Sequence, residues 1–466
     1  MVKRSSTLRR LIWRAQLNYV AKKFLAGYWL CRRTLGQTWG LKPHMVKWIY
    51  KAVLLPRITY ASIVWWQRSN LVTARGVFDR QQAMVLRSMT SSTRTAPRAA
   101  LRVAAGVIPL DVGIKRAEAR TAAQLRVLGM WGGGGGGHEA ITGFECLRNI
   151  PDESDRILEE LIFEKKFSIT LTLRSDWETG THAALVGSKT YYTDGSKVNG
   201  NTGSGVWMPE SGETLIGSAG PTATVFQSEI LAIKMCADEV LRQGTRRKRI
   251  SICSDSWAAL CALDAVAVSS KLVLEAKRTL NRLGTRNSVR LFWVPAHVGI
   301  PGNEEADSLA KRGTLLREPT ASVAMPWCDM ARTIWDWAVS ESQRLWAGVE
   351  GCRQSKLALG PDAIYRHHKE LLELPRKELA VVMGWMTGHC YFNRHLRPPN
   401  IEQRTCRFCK EENESSEHIL RTCPAVEERR VRYLGLSGRD VAQVASFKPS
   451  ALARFIKALG LMEQED

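Results

Sequence analysis

The chain has 466 residues, 44% of them hydrophobic, which suits two to four folded domains and excludes an intrinsically disordered protein. Its net charge is +22, and residues 1–131 hold 24 Lys and Arg against only Asp79, Asp111 and Glu118, so nearly all the excess lies in the first quarter. That asymmetry points to phosphate-bearing partners, RNA or DNA, with a basic solubilising face as the other reading.

Residues 1–130 read as mostly helical, with periodic apolar positions over Trp48–Val64 and Gly76–Met89 and with Pro97 and Pro109 punctuating later helices. Aromatics at Trp13, Tyr19, Trp29, Trp39 and Trp48 interleave with the basic residues, as on a folded basic face that would anchor nucleic acid. The six glycines 132–137 read as a flexible hinge, and residues 138–186 as a weakly helical linker. Lys189–Thr193 is a short strand ending in the turn Asp194-Gly195-Ser196. Ser204–Pro209 and Glu213–Ala219 are two more strands. Val225–Arg242 has helical apolar spacing and carries Glu229 near its start. Arg249–Ser254 is a strand with Asp255 at its end, and Val289–Val294 is the last strand, followed by the His297 loop. Asn303 reads as the N-cap of a helix that carries Asp307. After Gly313, the stretch containing Trp327, Trp335, Trp337 and Trp346 reads as core-packing helix, with base stacking as the other reading.

The ordered set Asp194, Glu229, Asp255, His297 and Asp307 carries the chemistry. Hydrolysis of a phosphodiester needs an activated water and charge relief on the leaving oxygen, which two divalent ions roughly 4 Å apart supply. Four neighbouring carboxylates repel one another without cations, so such a cluster implies bound metal. A second motif, Cys406-x2-Cys409-x8-His418-x4-Cys423, has the spacing of a tetrahedral zinc site. Arg404, Arg407 and Arg421 beside it suit phosphates. The eleven cysteines come without a secretory leader, so reduced thiols are expected in an intracellular protein, nuclear or cytoplasmic and not secreted. No apolar run is long enough to span a membrane. No Tyr/Phe-x-Asp-Asp occurs, so the chain alone is not expected to extend primers.

Residues 187–313 resemble type 1 ribonuclease H in strand order and in all five motif positions. The resemblance implies two Mg2+ ions, or Mn2+ in their place, held by Asp194, Glu229, Asp255 and Asp307, with His297 assisting proton transfer or product release. The basic, Trp-bearing handle of some bacterial members is missing between Ala262 and Arg286. Lys271, Lys277, Arg278, Arg282 and Arg286 stand there instead, as candidates for gripping the hybrid. Tyr50–Ala61, Gln81-Gln82 and Ala105–Asp111 resemble the reverse transcriptase thumb and connector of non-LTR (LINE-type, Jockey-like) retrotransposon Pol proteins. Trp385–His389 and His395-Leu396 resemble the connector before their zinc motif, and no catalytic role is assigned to either histidine.

The expected architecture is multidomain. A basic helical region (1–130) is followed by a hinge and linker (131–186) and by an α/β ribonuclease H-like domain with a mixed five-stranded sheet (187–314). A Trp-rich helical connector (315–400), a small module with one structural Zn2+ (401–430) and a helical tail (431–466) complete it. The expected activity is endonucleolytic hydrolysis of the RNA strand of RNA–DNA hybrids, within a longer Pol protein whose upstream part is a partner. Two other readings are a non-catalytic nucleic-acid-binding remnant and a stand-alone cellular ribonuclease H.

Overall fold

The computed structural model describes residues 14–34, 36, 39–130, 145–148, 150–151, 153–177, 182, 185–360, 367–390, 405–436 and 448–462. The glycine run 132–137, His395 and Arg404 lie outside them. Two compact units emerge, and the chain does not divide between them at a single point: unit 1 joins residues 1–121 to 334–466, and unit 2 comprises residues 122–333.

The first part of unit 1 is helical, as its periodicity predicts. It contains α1 (Arg14–Arg32), α2 (Pro43–Ile49), α3 (Val72–Thr90), α4 (Arg98–Ala105) and the start of α5 (Leu110–Val127). A π-helical turn, Tyr50–Leu54, follows α2 directly. The Gln81-Gln82 pair joins these helices: Gln81 Nε2 donates to the Ala21 carbonyl at 3.1 Å, and Gln82 Nε2 donates to Tyr50 Oη and the Ile108 carbonyl, both at 2.9 Å.

In unit 2 the strands are β1 (Arg156–Leu161), β2 (Phe167–Thr170), β3 (Lys189–Val198), β4 (Asn201–Met208), β5 (Glu213–Gly220), β6 (Arg249–Ser254), β7 (Ala267–Ser270) and β8 (Ser288–Trp293). Six form one mixed sheet in the order β2-β8-β6-β3-β4-β5, parallel from β2 to β3 and antiparallel from β3 to β5. β1 pairs separately with β7. Five strands of the large sheet fall where the sequence predicts them. The sixth, β2, comes from the segment read as weakly helical linker and adds to the sheet edge beside β8.

Alternation along the strands separates two apolar layers. Tyr191, Ile250, Ile252, Val289 and Leu291 face helices α6 (Val225–Arg242) and α8 (Lys271–Gly284), which contribute Ile230, Ile233, Ala237, Val240, Ala276 and Leu280. Tyr192, Cys253 and Phe292 point the other way, towards Ala306 of helix α9 (Pro301–Gly313). Between β6 and β7 lies helix α7 (Trp257–Asp264).

Helix α10 (Trp327–Ala347) leads back to unit 1, where Trp335 and Trp337 pack against Ile108, Val112 and Ala338. Trp346 is buried and donates its Nε1 to the Gly360 carbonyl at 3.1 Å. Core packing is thus the role of these three tryptophans. The C-terminal part adds α11 (Arg353–Leu359), α12 (His368–Glu373), α13 (Arg376–Thr387) and α14 (Ser416–Arg421). Arg376, 5% exposed, links the two sequence-distant parts of the unit. Its guanidinium donates to the Leu41 carbonyl at 2.6 Å, the Ser88 carbonyl at 2.9 Å and Ser91 Oγ at 3.1 Å.

Candidate active site and metal centres

Asp194 is not at a strand end. β3 runs on to Val198 because β4 pairs with it through Asp194↔Gly205 to Val198↔Asn201, while the parallel pairing with β6 stops at Thr193↔Ser254. Asp194 therefore projects where the parallel half of the sheet opens, held on one side only. Gly195 lets α6 approach. A Cβ there would lie 2.4 Å from the Glu229 amide nitrogen, so any side chain would push Glu229 away from Asp194. Glu229 is fixed by the start of α6, where Thr224 caps the helix and exchanges hydrogen bonds with Gln227. Gly205 plays the same part for α9: a Cβ would lie 2.3 Å from the Ala306 carbonyl, one residue before Asp307.

Asp194, Glu229 and Asp255 bring ligand oxygens within 4.8 Å of one another. A second group, His297, Glu304 and Asp307, meets the same limit. Asp194, a member of the first group, also feels the charge of Asp307 in the second, so the two groups adjoin through it. Burial, then the charge of Asp255 and of Asp307, pushes Asp194 up to about 8. Glu229 is raised well above the usual carboxylate range by burial and by Asp194 and Asp255, and its Oε2 is buried with no hydrogen-bond partner. Burial also raises Asp255, opposed by a hydrogen bond from Asn303. An orphaned buried carboxylate oxygen amid mutually repelling carboxyls is a donor set that lacks its counter-charge, and hard divalent cations fit it.

Two residues hold Asp255 in place. Trp293 donates its Nε1 to the Asp255 carbonyl at 2.9 Å, and Asn303 donates its Nδ2 to Asp255 Oδ2 at 3.3 Å. Asn303 is not the N-cap: α9 begins at Pro301 after Ile300, and Asn303 sits inside its first turn, 2% exposed. Asn303 as an aspartate clamp and Glu304 as a ligand candidate were not singled out from sequence. Both lie within the Gly302–Asp307 motif, two and three residues after Pro301. His297 is exposed, in left-handed backbone at φ 54°, before Gly299 at φ 79°. Asp307 Oδ2 accepts from Lys311 Nζ at 2.6 Å.

The predicted grip between Ala262 and Arg286 is corrected in part. Lys277 is 1% exposed and bonds the Ala265 carbonyl, Arg278 pairs with Glu160 at 3.0 Å, and Arg282 with Asp238 at 3.5 Å. Lys277 is therefore unavailable to a ligand.

The sulfur-rich motif converges as well. Cys406, Cys409, His418 and Cys423 place their ligand atoms within 4.8 Å of one another. Cys406 Sγ and Cys423 Sγ are 3.9 Å apart, close to the roughly 3.8 Å edge of a tetrahedron with Zn–S bonds of about 2.3 Å. His418 turns Nε2 to Cys409 Sγ at 3.3 Å and Nδ1 to Thr422 Oγ1 and Glu412 Oε2, both at 2.9 Å. That is how a metal-binding histidine is oriented from behind. Burial raises the Cys409 thiol, but backbone donors at Glu411 and Glu412, with His418, bring it down to about 6. These donors fit a zinc ion. Arg407 is engaged here, pairing with the buried Glu414 at 2.7 Å, and Arg421 pairs with Glu417 at 3.2 Å, so neither is a free phosphate ligand.

Among the described residues no helix is long and apolar enough to cross a membrane. Residues 187–315 match the RNase H family. Over 144 residues, 30% of this chain, the sequence is 30% identical to the Pol polyprotein of equine infectious anemia virus isolate 1369, and equally to that of isolate CL22. The matched part spans 12% of those viral chains. The chain thus carries an RNase H domain at residues 187–315, and 30% of it is similar to part of a viral Pol polyprotein.

Proposed function

We propose that this domain hydrolyses the RNA strand of RNA–DNA hybrids endonucleolytically, with two divalent ions, as the ribonuclease portion of a LINE-type retrotransposon Pol protein. The observation that carries the reading is the meeting of Asp194, Glu229, Asp255 and Asp307, with an orphaned Glu229 oxygen among them. Mg2+ or Mn2+ held by these carboxylates would supply an activated water and charge relief on the leaving oxygen. Before a cation binds, the Asp194 carboxyl keeps a proton near neutrality, and that proton must leave as the cation enters. Asn303 and Trp293 keep Asp255 in one orientation throughout. The exposed His297 imidazole is suited to carry a proton between the leaving oxygen and solvent.

The Cys406, Cys409, His418 and Cys423 set would hold one structural zinc, consistent with the non-LTR resemblance. With no polymerase aspartate pair in the sequence, primer extension is not expected of this chain.

The test is cleavage of an end-labelled hybrid by the full chain with Mg2+. Endonucleolytic RNA products are expected, with duplex DNA left intact, and Asp194→Asn should abolish them. Binding without cleavage by the parent protein, at any divalent ion, would favour the non-catalytic remnant and sink this reading.

A further inference from the structure

Three lysines of unit 1 gather without an acidic partner among the described residues. Lys47 and Lys51 are four residues apart, one helical turn, on α2 and on the π-helical turn that follows it. Helix α12, from the other end of the sequence, packs against α2, and its Lys369 lies close enough to repel Lys47. Arg116 of α5, stacked 4.8 Å from the centre of the Trp335 ring, repels Lys51. Among the described residues the ion pairs of this unit lie elsewhere, at Arg75–Asp111, Arg102–Asp79, Arg344–Glu341, Arg353–Glu417, Arg407–Glu414 and around His418.

Lys47 is the costly member. It is 8% exposed, and burial, followed by Lys51 and Lys369, brings its ammonium down to about 7. Burial beside two other cations disfavours the charged form of Lys47, and an anion at this face would relieve that repulsion. Lys51 and Lys369 are exposed, and so accessible to such an anion. Trp48 stands among them, 66% exposed and three residues from Lys51, so the two share a side of the helical segment. Helix folding alone gives no reason to leave so large an apolar ring in water.

Each observation selects the ligand. Uncompensated lysines from two sequence-distant segments match the repeating charge of a phosphodiester backbone. An exposed indole among cations offers a stacking face to a base. In a duplex the base faces are already stacked, so only an unpaired base can reach the ring. We propose that the face formed by Lys47, Trp48, Lys51 and Lys369 binds a single-stranded segment of nucleic acid, with phosphates against the lysines and one base against Trp48. This inference does not rest on the ribonuclease reading, since every residue in it belongs to unit 1.

The experiment uses the full chain without divalent ions and a fluorescein-labelled single-stranded oligonucleotide, read by anisotropy over a range of salt. Lys51→Ala with Lys369→Ala should weaken binding at least tenfold. The same pair should flatten the log–log salt slope by about 1.4, from ~0.7 per single-strand phosphate contact. Trp48→Ala should weaken binding roughly 5- to 150-fold, matching the ~1–3 kcal/mol of a stacked base, with the salt slope unchanged. Trp48→Phe should recover most of that loss. The three side chains are exposed, and an unaltered circular dichroism spectrum and melting curve would confirm that the fold is kept. Unchanged affinity and slope in the lysine pair would overturn the proposal, as would full binding by Trp48→Ala. So would stronger competition by polyglutamate or by a blunt RNA–DNA hybrid than by unlabelled single strand. Failure of the ribonuclease reading would appear as absent Mg2+-dependent cleavage and would leave the anisotropy unaffected.

Discussion

Replacing Asp194 with Asn removes one charge from the buried carboxyl cluster and nearly preserves its size. The folded carboxyl titrates at about 8 because of burial and the neighbouring Asp255 and Asp307, against an ordinary value of 3.8. The folded value is the higher one, so protonation favours the folded state. The stability this group contributes is complete below about pH 4 and is lost as pH rises towards about 8. At ~1.4 kcal/mol per pH unit the whole interval bounds the effect at roughly 6 kcal/mol, and water entry and proton sharing among the carboxyls reduce it to about 1–3 kcal/mol. Without divalent ions the Asn variant should therefore be the more stable protein at pH 8, and the difference should vanish near pH 4. In a unit of roughly 200 residues, ~2–4 °C per kcal/mol makes this a rise of about 2–12 °C in the transition of unit 2. Saturating Mg2+ should close the gap or reverse the order. An ion at a hundred times its Kd adds about 2.7 kcal/mol to the parent and should add little to the variant. Calorimetry of the full chain, with chelator and with Mg2+, across pH 4 to 8 reads both effects. If the variant melts at or below the parent at every pH in chelator, or if Mg2+ raises both equally, the carboxylates do not form a strained cation site.

Asn303→Ala removes the donor that holds Asp255 Oδ2 at 3.3 Å; kcat on a hybrid should fall about 10- to 100-fold, with affinity measured in chelator unchanged. A loss of affinity with kcat retained would show that Asn303 contacts substrate instead. Gly195→Ala forces a Cβ to within 2.4 Å of the Glu229 amide and should destabilise unit 2 by about 1–3 kcal/mol, seen in denaturant unfolding; a neutral substitution would mean that the β3–α6 approach is loose. Cys406→Ser should reduce bound zinc from about one per chain to none, by elemental analysis, because structural zinc needs all four donors. Retained stoichiometric zinc in that variant would refute the ligand set.

The ribonuclease motifs were legible because their local patterns agree with their tertiary surroundings. Val225–Arg242 has an apolar stripe at helical spacing, and Arg249–Ser254 is rich in buried β-formers, so both elements coincide with the structure. The order Asp194, Glu229, Asp255, His297, Asp307 needed only the sequence, and the structure brings these residues into two adjoining groups. Residues whose roles depend on remote partners were not legible. Asp194-Gly195-Ser196 has the composition of a turn, yet β4 pairs with it and makes it strand. β2 is four residues long with only Phe167 buried, too little alternation to mark a strand before β8 supplies its hydrogen bonds. Asn303 resembles a cap, but its partner is Asp255, 48 residues away. Largest of all is the union of residues 1–121 with 334–466. Helical periodicity tells which face of a helix is apolar and not which distant segment covers it. Only the tertiary structure brings Arg376 to the Leu41 and Ser88 carbonyls and Lys369 beside Lys47.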